Sequence, residues 1–252
     1  MRTAAAPEAA SPPGDRTTDR IADRVFFARP PALPRGRHDL DPAQVAAAQR
    51  ERMMIAATEL MAAGGYRGTG VREICARAAV SRAAFYECFA DKDECISAAH
   101  DRFIAVLGDT LAAAPGGRDW PACVTGLLRS YLGLLQRDLV TARAFLVETD
   151  ALGRPARRRR REAALRLALL LHRRREGLPG GGRVPLSAHV GAVYAVRQIT
   201  CDALDDDAPD LPALLPELAG WLAAMTGSSG PGDGRDDGLG DGPGDGPGGG
   251  GR

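Results

Sequence analysis

Lysine is almost missing from this chain: of its 33 basic residues only Lys92 is one, and the rest are arginines. Arg, Ala, Gly and Pro are abundant everywhere, a bias we attribute to a GC-rich genome, so an arginine cluster carries less weight here than usual. Aromatic residues amount to 5%, and the Ala- and Leu-rich middle of the chain favours helices. No apolar run reaches the roughly 18 residues that span a membrane, and the N-terminus lacks the apolar core of a signal peptide. The chain therefore reads as soluble and cytoplasmic, with no membrane partner. The five cysteines, Cys75, Cys88, Cys95, Cys123 and Cys201, contain no C-x-x-C pair and suggest neither a disulfide framework nor a zinc site. Reduced thiols are expected, and a redox sensor at Cys88 or Cys95 would need a lowered thiol pKa. Catalytic signatures are missing too: there is no G-x-S-x-G, no G-x-x-x-x-G-K and no H-E-x-x-H, and His38, His100, His172 and His189 are scattered. No enzyme, metal or cofactor is implied. A net charge of +1 excludes a general electrostatic attraction for polyanions, so any such binding must come from local placement of charge.

What is present is a patterned stretch, residues 71–89, VREICARAAVSRAAFYECF. Val71, Ile74, Cys75 and Ala78 fall on one apolar face of an amphipathic helix of about two turns. Ala79-Val80 interrupts it, and Ser81 is a candidate N-cap for a second helix. Phe85, Cys88 and Phe89 make the inner face of that helix, leaving Arg82, Ala83, Tyr86 and Glu87 outside. Helix, turn and helix is the layout that puts the start of its second helix into the major groove of DNA. The outer residues suit that placement. Ser81 and Tyr86 can bond phosphate or base edges, Arg82 can pair with phosphate or guanine, and Ala83 can meet a thymine methyl group.

The run 49–101 resembles the DNA-binding domain of the TetR family of bacterial transcriptional regulators, through Ala56-Ala57, Leu60, Gly65-Tyr66, Val71, Ile74, Ala78, Val80-Ser81, Phe85-Tyr86, Phe89, Lys92 and Ala98-Ala99. The resemblance implies an all-α protein whose reading head precedes a larger helical domain that binds a small-molecule effector and dimerises. It also implies a phosphate contact for Lys92. Two departures touch the DNA-facing backbone. The Thr or Ser that usually caps the first helix of the motif is Gly70 here, with Thr69 one residue earlier as the remaining hydroxyl for DNA. The usual glycine of the turn is Ala79, so the turn either avoids a left-handed conformation or carries strain.

In chain order, residues 1–40 read as a mostly disordered extension, with a helical turn around 21–27 as a candidate and a basic arm at Arg35 and Arg37 that suits a minor groove. A basic linker is the alternative for that arm. Asp41-Pro42 opens a helix that runs to about Ala63 and stops at Gly64-Gly65. The reading head spans 41–101, with its motif at 70–89. A fourth helix runs from Asp91 to about Leu111, and after it comes the larger domain, 102–226, with helices expected near 120–137, 139–150, 155–176, 186–204 and 211–225. The Gly-rich, acidic segment 227–252 has nothing to bury and reads as a tail.

Candidate ligand contacts are Phe103, Tyr131, Phe145, Glu148, Tyr194 and Gln198, bulky or polar residues on otherwise apolar segments. Apolar faces at Val190, Val193, Cys201 and Leu204 and at Leu214, Leu215, Leu218, Trp221 and Met225 form either an internal core or a four-helix bundle between two copies. The expected partners are thus a double-stranded DNA operator, an effector and a second copy of the chain, with repression the expected outcome. The alternative is a non-specific nucleic-acid binder working through 154–175, where ten arginines face one glutamate. Five arginines in a row, 157–161, circle a helix at about 100° per residue and cannot form one DNA-facing stripe.

Overall fold

The computed structural model describes residues 20–21, 25–28, 41–148, 153–178 and 184–227. The basic arm at Arg35 and Arg37 and the tail from residue 228 lie outside them. Helices α1 (Pro42–Gly68), α2 (Val71–Ala78), α3 (Arg82–Cys88) and α4 (Lys92–Ala113) come first, then α5 (Trp120–Arg137), α6 (Leu139–Ala142) with a π-turn (Arg143–Val147), α7 (Gly153–Glu176) and α8 (Leu186–Leu204). A 3-10 turn (Leu211–Leu214) leads into α9 (Leu215–Gly227). Among the described residues there is no strand.

Carboxylate caps set the helix starts. Asp41 accepts from the Ala43 amide at 3.1 Å, Asp91 from Glu94 at 2.8 Å, Asp119 from Ala122 at 2.8 Å and Asp138 from Thr141 at 2.9 Å, each satisfying an amide that the helix leaves free. Gly64-Gly65 is a kink and not the expected stop. Gly65 takes φ 67° and ψ 177°, and the chain resumes helical winding for one more turn. The single helix expected over 139–150 is one turn of α-helix followed by the π-turn. The turn is held from across the packing: the Leu146 carbonyl accepts from the Arg197 guanidinium and from the Cys201 thiol at 3.1 Å, and Arg143 bonds the Leu204 and Asp206 carbonyls at 3.0 and 2.9 Å. The last expected helix starts as a 3-10 turn, where Pro212 and Pro216 supply no amide donors.

Six residues of the N-terminal extension are described, and they dock on the fold. Phe26 and Phe27 are 2% and 1% exposed. Glu59 accepts from the Ile21 amide at 3.0 Å, Glu51 from the Ala28 amide at 2.9 Å, and Arg102 donates to the Phe26 carbonyl at 3.2 Å. Residues 20–21 and 25–28 are not helical and lie against α1 and α4. Prolines that forbid a helix do not forbid docking, and two buried phenylalanines contribute about 3–6 kcal/mol of apolar transfer free energy.

Helix α4 joins the two halves. Cys95, Ile96 and Ala99 pack into the head, and Phe103, Leu107 and Leu111 into the body, all within one continuous core. In the body α5 packs on α9 and α7 on α8, while α1 also touches α6 and the π-turn.

Candidate nucleic-acid interface and ligand cavity

Both helices of the motif are tied to α1 by arginine. Arg77 of α2 meets the buried Glu59 carboxylate at 2.6 Å. Arg50 of α1 donates to the Cys88 carbonyl at 2.8 Å and lies 4.2 Å above the Phe89 ring, holding the end of α3. With Ala84, Phe85 and Phe89 buried, Ser81, Arg82, Ala83, Tyr86 and Glu87 face outward as their spacing predicts. Tyr86 is 52% exposed, uncommon for so large an apolar ring, and its edge meets Phe85 at 5.5 Å. Ser81 accepts from the Ala84 amide at 3.0 Å, which caps α3 and leaves the hydroxyl hydrogen free to donate outward.

The connection before α2 differs from its sequence reading. Thr69 is buried and its hydroxyl donates to the Gly65 carbonyl at 3.0 Å, so it belongs to the packing of the turn and not to the outer surface. Gly70 caps α2 without a side-chain bond, and a Cβ there would stand 2.3 Å from the Glu73 carboxylate, which fills the space of the missing hydroxyl. Ala79 settles the question of the turn in favour of strain: it is left-handed at φ 55° and ψ 46°. Lys92 works inward. Its ammonium lies 3.8 Å above the Tyr66 ring and donates to the Tyr66 and Thr69 carbonyls at 3.2 and 3.0 Å. Tyr66 in turn donates to Asp93 at 2.5 Å, a bond that pushes its phenol up to about 12. This cage locks the end of α1 to the start of α4.

Burial raises the Cys88 thiol and pushes Cys95 up to about 12, the opposite of what a redox sensor at either position needs. Among the described residues no three His, Cys, Asp or Glu side chains group as metal ligands.

The body encloses a cavity with about 870 Å³ of space between atoms, its open mouth included. Phe103, Tyr131 and Phe145 line it, among leucines and alanines from α4, α5, α7 and α8. The other three candidates lie elsewhere. Glu148 faces Gly65, Tyr194 is 36% exposed on α8, and Gln198 is exposed and donates to Asp202 at 2.7 Å. Sequence reasoning missed His100, Arg160 and Arg197, the polar groups of the wall. Arg160 was legible in principle: a run of five arginines that circles a helix must turn one inward, and Arg160 is the half-buried member. Burial lowers its pKa, and the neighbouring Arg197 cation lowers it further. Two cations on one wall of an apolar cavity are an arrangement that a bound anion would relieve. Burial likewise pushes Tyr131 up to about 12.

A short helix with a locked inner face and a small-residue outer face is built to enter a major groove. Helices α2 and α3 are the two helices of a helix-turn-helix motif. Residues 54–99 match the model of the bacterial regulatory proteins, tetR family, so the head is a tetR-family domain. Among solved structures, the whole fold is similar to the fatty acid degradation regulator FadR from Bacillus halodurans, with a TM-score of 0.61 at 18% identity, covering 73% of this chain and 96% of that one. FadR from Bacillus subtilis in complex with stearoyl-CoA gives 0.57 at 17%, over 69% and 97%. A transcriptional regulator from Rhodococcus sp. Rha1 gives 0.53 at 23%, over 71% and 94%. At these identities the likeness establishes the fold. No curated protein matches the chain.

Proposed function

We propose that this protein is a cytoplasmic, ligand-responsive repressor that binds a palindromic operator as a homodimer and releases it on binding a long acyl chain with an anionic head. The observation that carries this reading is the apolar cavity with Arg160 and Arg197 on its wall, enclosed partly by α4, the helix that also packs the reading head. An acyl chain matches the leucine lining, and a carboxylate or an acyl-CoA thioester's phosphates match the guanidinium pair. The FadR structure holding stearoyl-CoA supports the choice of ligand class. In this reading 41–101 reads DNA through Ser81, Arg82, Ala83 and Tyr86, with Arg35 and Arg37 as an arm, and 102–226 senses and dimerises.

Dimerisation is supported by α8 and α9, which leave Tyr194, Ile199, Trp221 and Met225 36–39% exposed. Cys201, Leu204 and Leu218 from the same helices are buried within the chain itself, so the apolar faces divide between the internal core and an outer surface. Two copies joined there in a four-helix bundle would place their heads one helical turn of DNA apart, about 34–36 Å. A coupling of about 1–3 kcal/mol between effector and DNA changes affinity roughly 5–150-fold.

The test is binding of the purified protein to duplex DNA upstream of its own gene, with random DNA as competitor. Specific binding should be lost in Tyr86→Ala, whose side chain is exposed and whose fold should persist, and weakened by stearoyl-CoA in wild type but less in Arg160→Met. Equal affinity for every duplex, untouched by Tyr86→Ala, would sink the reading helix. Specific binding indifferent to acyl compounds would sink the effector class alone.

A further inference from the structure

The function proposed above leaves the outer face of α7 unused. Arg157, Arg158, Arg159, Arg161, Arg166 and Arg173 are exposed there with Leu165; among the described residues Glu162 meets Arg158 at 2.8 Å and Asp101 lies near Arg159 and Arg166. Between residues 154 and 175 the formal charge is +9, ten arginines against one glutamate. Near the C-terminal end of α7 a surface groove is lined by Arg166, Leu169, Leu170, Arg173 and Arg174. Arg174 also caps the carbonyls of Ala112 and Ala114 at the end of α4, at 2.6 and 3.1 Å. The groove therefore offers two leucines flanked by outward cations, a surface that suits an acidic peptide carrying one apolar side chain.

The chain itself supplies that peptide. Helix α9 ends at Gly227, whose carbonyl accepts from Arg175 at 3.3 Å, so the point to which the last 25 residues are joined lies beside the basic end of α7. They carry five aspartates against two arginines, and Leu239 is their one large apolar residue. It sits in DDGLGD, residues 236–241. From Gly227 to Leu239 an extended chain reaches about 40 Å, whereas Arg175 and Arg166 stand only about 14 Å apart along the helix. Reach is no obstacle, and tethering supplies an effective concentration on the order of millimolar.

We propose that residues 236–241 dock within the same chain on this groove, Leu239 against Leu169 and Leu170 and the aspartates beside Arg166 and Arg173. The docked tail is an internal polyanion that competes with nucleic acid for the arginine face. It keeps a cationic surface distinct from the reading helix from binding DNA of any sequence, and so sharpens the preference for one site.

The scarcity of lysine makes a clean test. Arg173→Lys in the full-length protein keeps the charge and introduces an amine that a carbodiimide can join to a carboxylate, and Lys92, the only other lysine, is held inside the head. Mass spectrometry should find position 173 linked within the chain to Asp236, Asp237 or Asp241 in preference to Asp233 and Asp245, with the preference lost in Leu239→Ser. In the otherwise wild-type chain, replacing those three aspartates by asparagine should raise affinity for random duplex DNA roughly five-fold at low salt, because a tethered competitor is removed. Links spread evenly over all five tail aspartates, links only to acids of the folded body, links only between molecules, or an unchanged affinity for random DNA would each overturn the proposal.

Discussion

The rings of Phe26 and Phe103 stack with their centres 5.0 Å apart and their planes at 43°, and Phe103 is at once a wall of the cavity. A segment more than seventy residues away in sequence thus packs against a residue of the cavity wall. Phe26→Ala should cost about 3–5 kcal/mol in denaturant unfolding, the loss expected for a fully packed ring. A loss below about 1 kcal/mol would show that the segment is not held against α1 and α4 in solution.

Ala79 holds a left-handed backbone without being glycine. That conformation costs an L-residue about 1–2 kcal/mol, and glycine is free of it. Ala79→Gly should therefore stabilise the head by roughly 1 kcal/mol, seen as a rise in the urea midpoint at unchanged slope, with affinity for DNA kept because the residue lies before the reading helix. A fall in the midpoint would mean that the turn relaxes in solution.

Gly65 is the reverse case. At φ 67° and ψ 177° it occupies a region nearly closed to other residues, and a Cβ would stand 2.8 Å from the Glu148 carboxylate just after the π-turn. Gly65→Ala should lower stability by about 1–3 kcal/mol through backbone strain. Because the new methyl displaces Glu148, DNA affinity should shift as well. An Ala variant with wild-type melting and wild-type binding would remove this contact from any account of coupling.

His189 makes stability depend on pH. It is buried, and burial holds its pKa below the ordinary 6.5, with the His172 and Arg175 cations adding to the effect and the Pro185 carbonyl and Glu176 opposing it. Its ring lies 5.2 Å from His172 and 6.1 Å from Trp120, and among the described residues neither Nε2 of His189 nor Nδ1 of His172 has a hydrogen-bond partner. The unfolded chain takes up a proton near 6.5 that the folded one refuses. Stability is then fully present above about 6.5 and declines as pH falls toward the folded pKa. His189→Gln should flatten that acid limb in thermal melts between pH 7 and 5. An unaltered limb would assign it to other groups.

The reading head was legible because it is local. The faces of α2 and α3 follow from periodicity, and the caps at Asp41, Ser81 and Asp91 are side chains bonding amides two or three residues away. Thr69 escapes a local reading, since its fate depends on a kink at Gly65 and on Lys92, 23 residues distant. Contacts at long range were the least legible. Nothing in the local pattern at Phe26 and Phe27 announces Phe103, and nothing near Leu146 announces the donors of α8 that bond its carbonyl. Glu148, Tyr194 and Gln198 lie on the right elements but on the wrong faces for the cavity, which only packing decides.

The π-turn at Arg143–Val147 carries Phe145 and Leu146 of the cavity wall at one end of its path and, one residue on, the carboxylate against Gly65. Phe145 of that wall and the Glu148 carboxylate beside the kink are therefore joined by three residues of backbone, so a displacement of one has a very short path to the other.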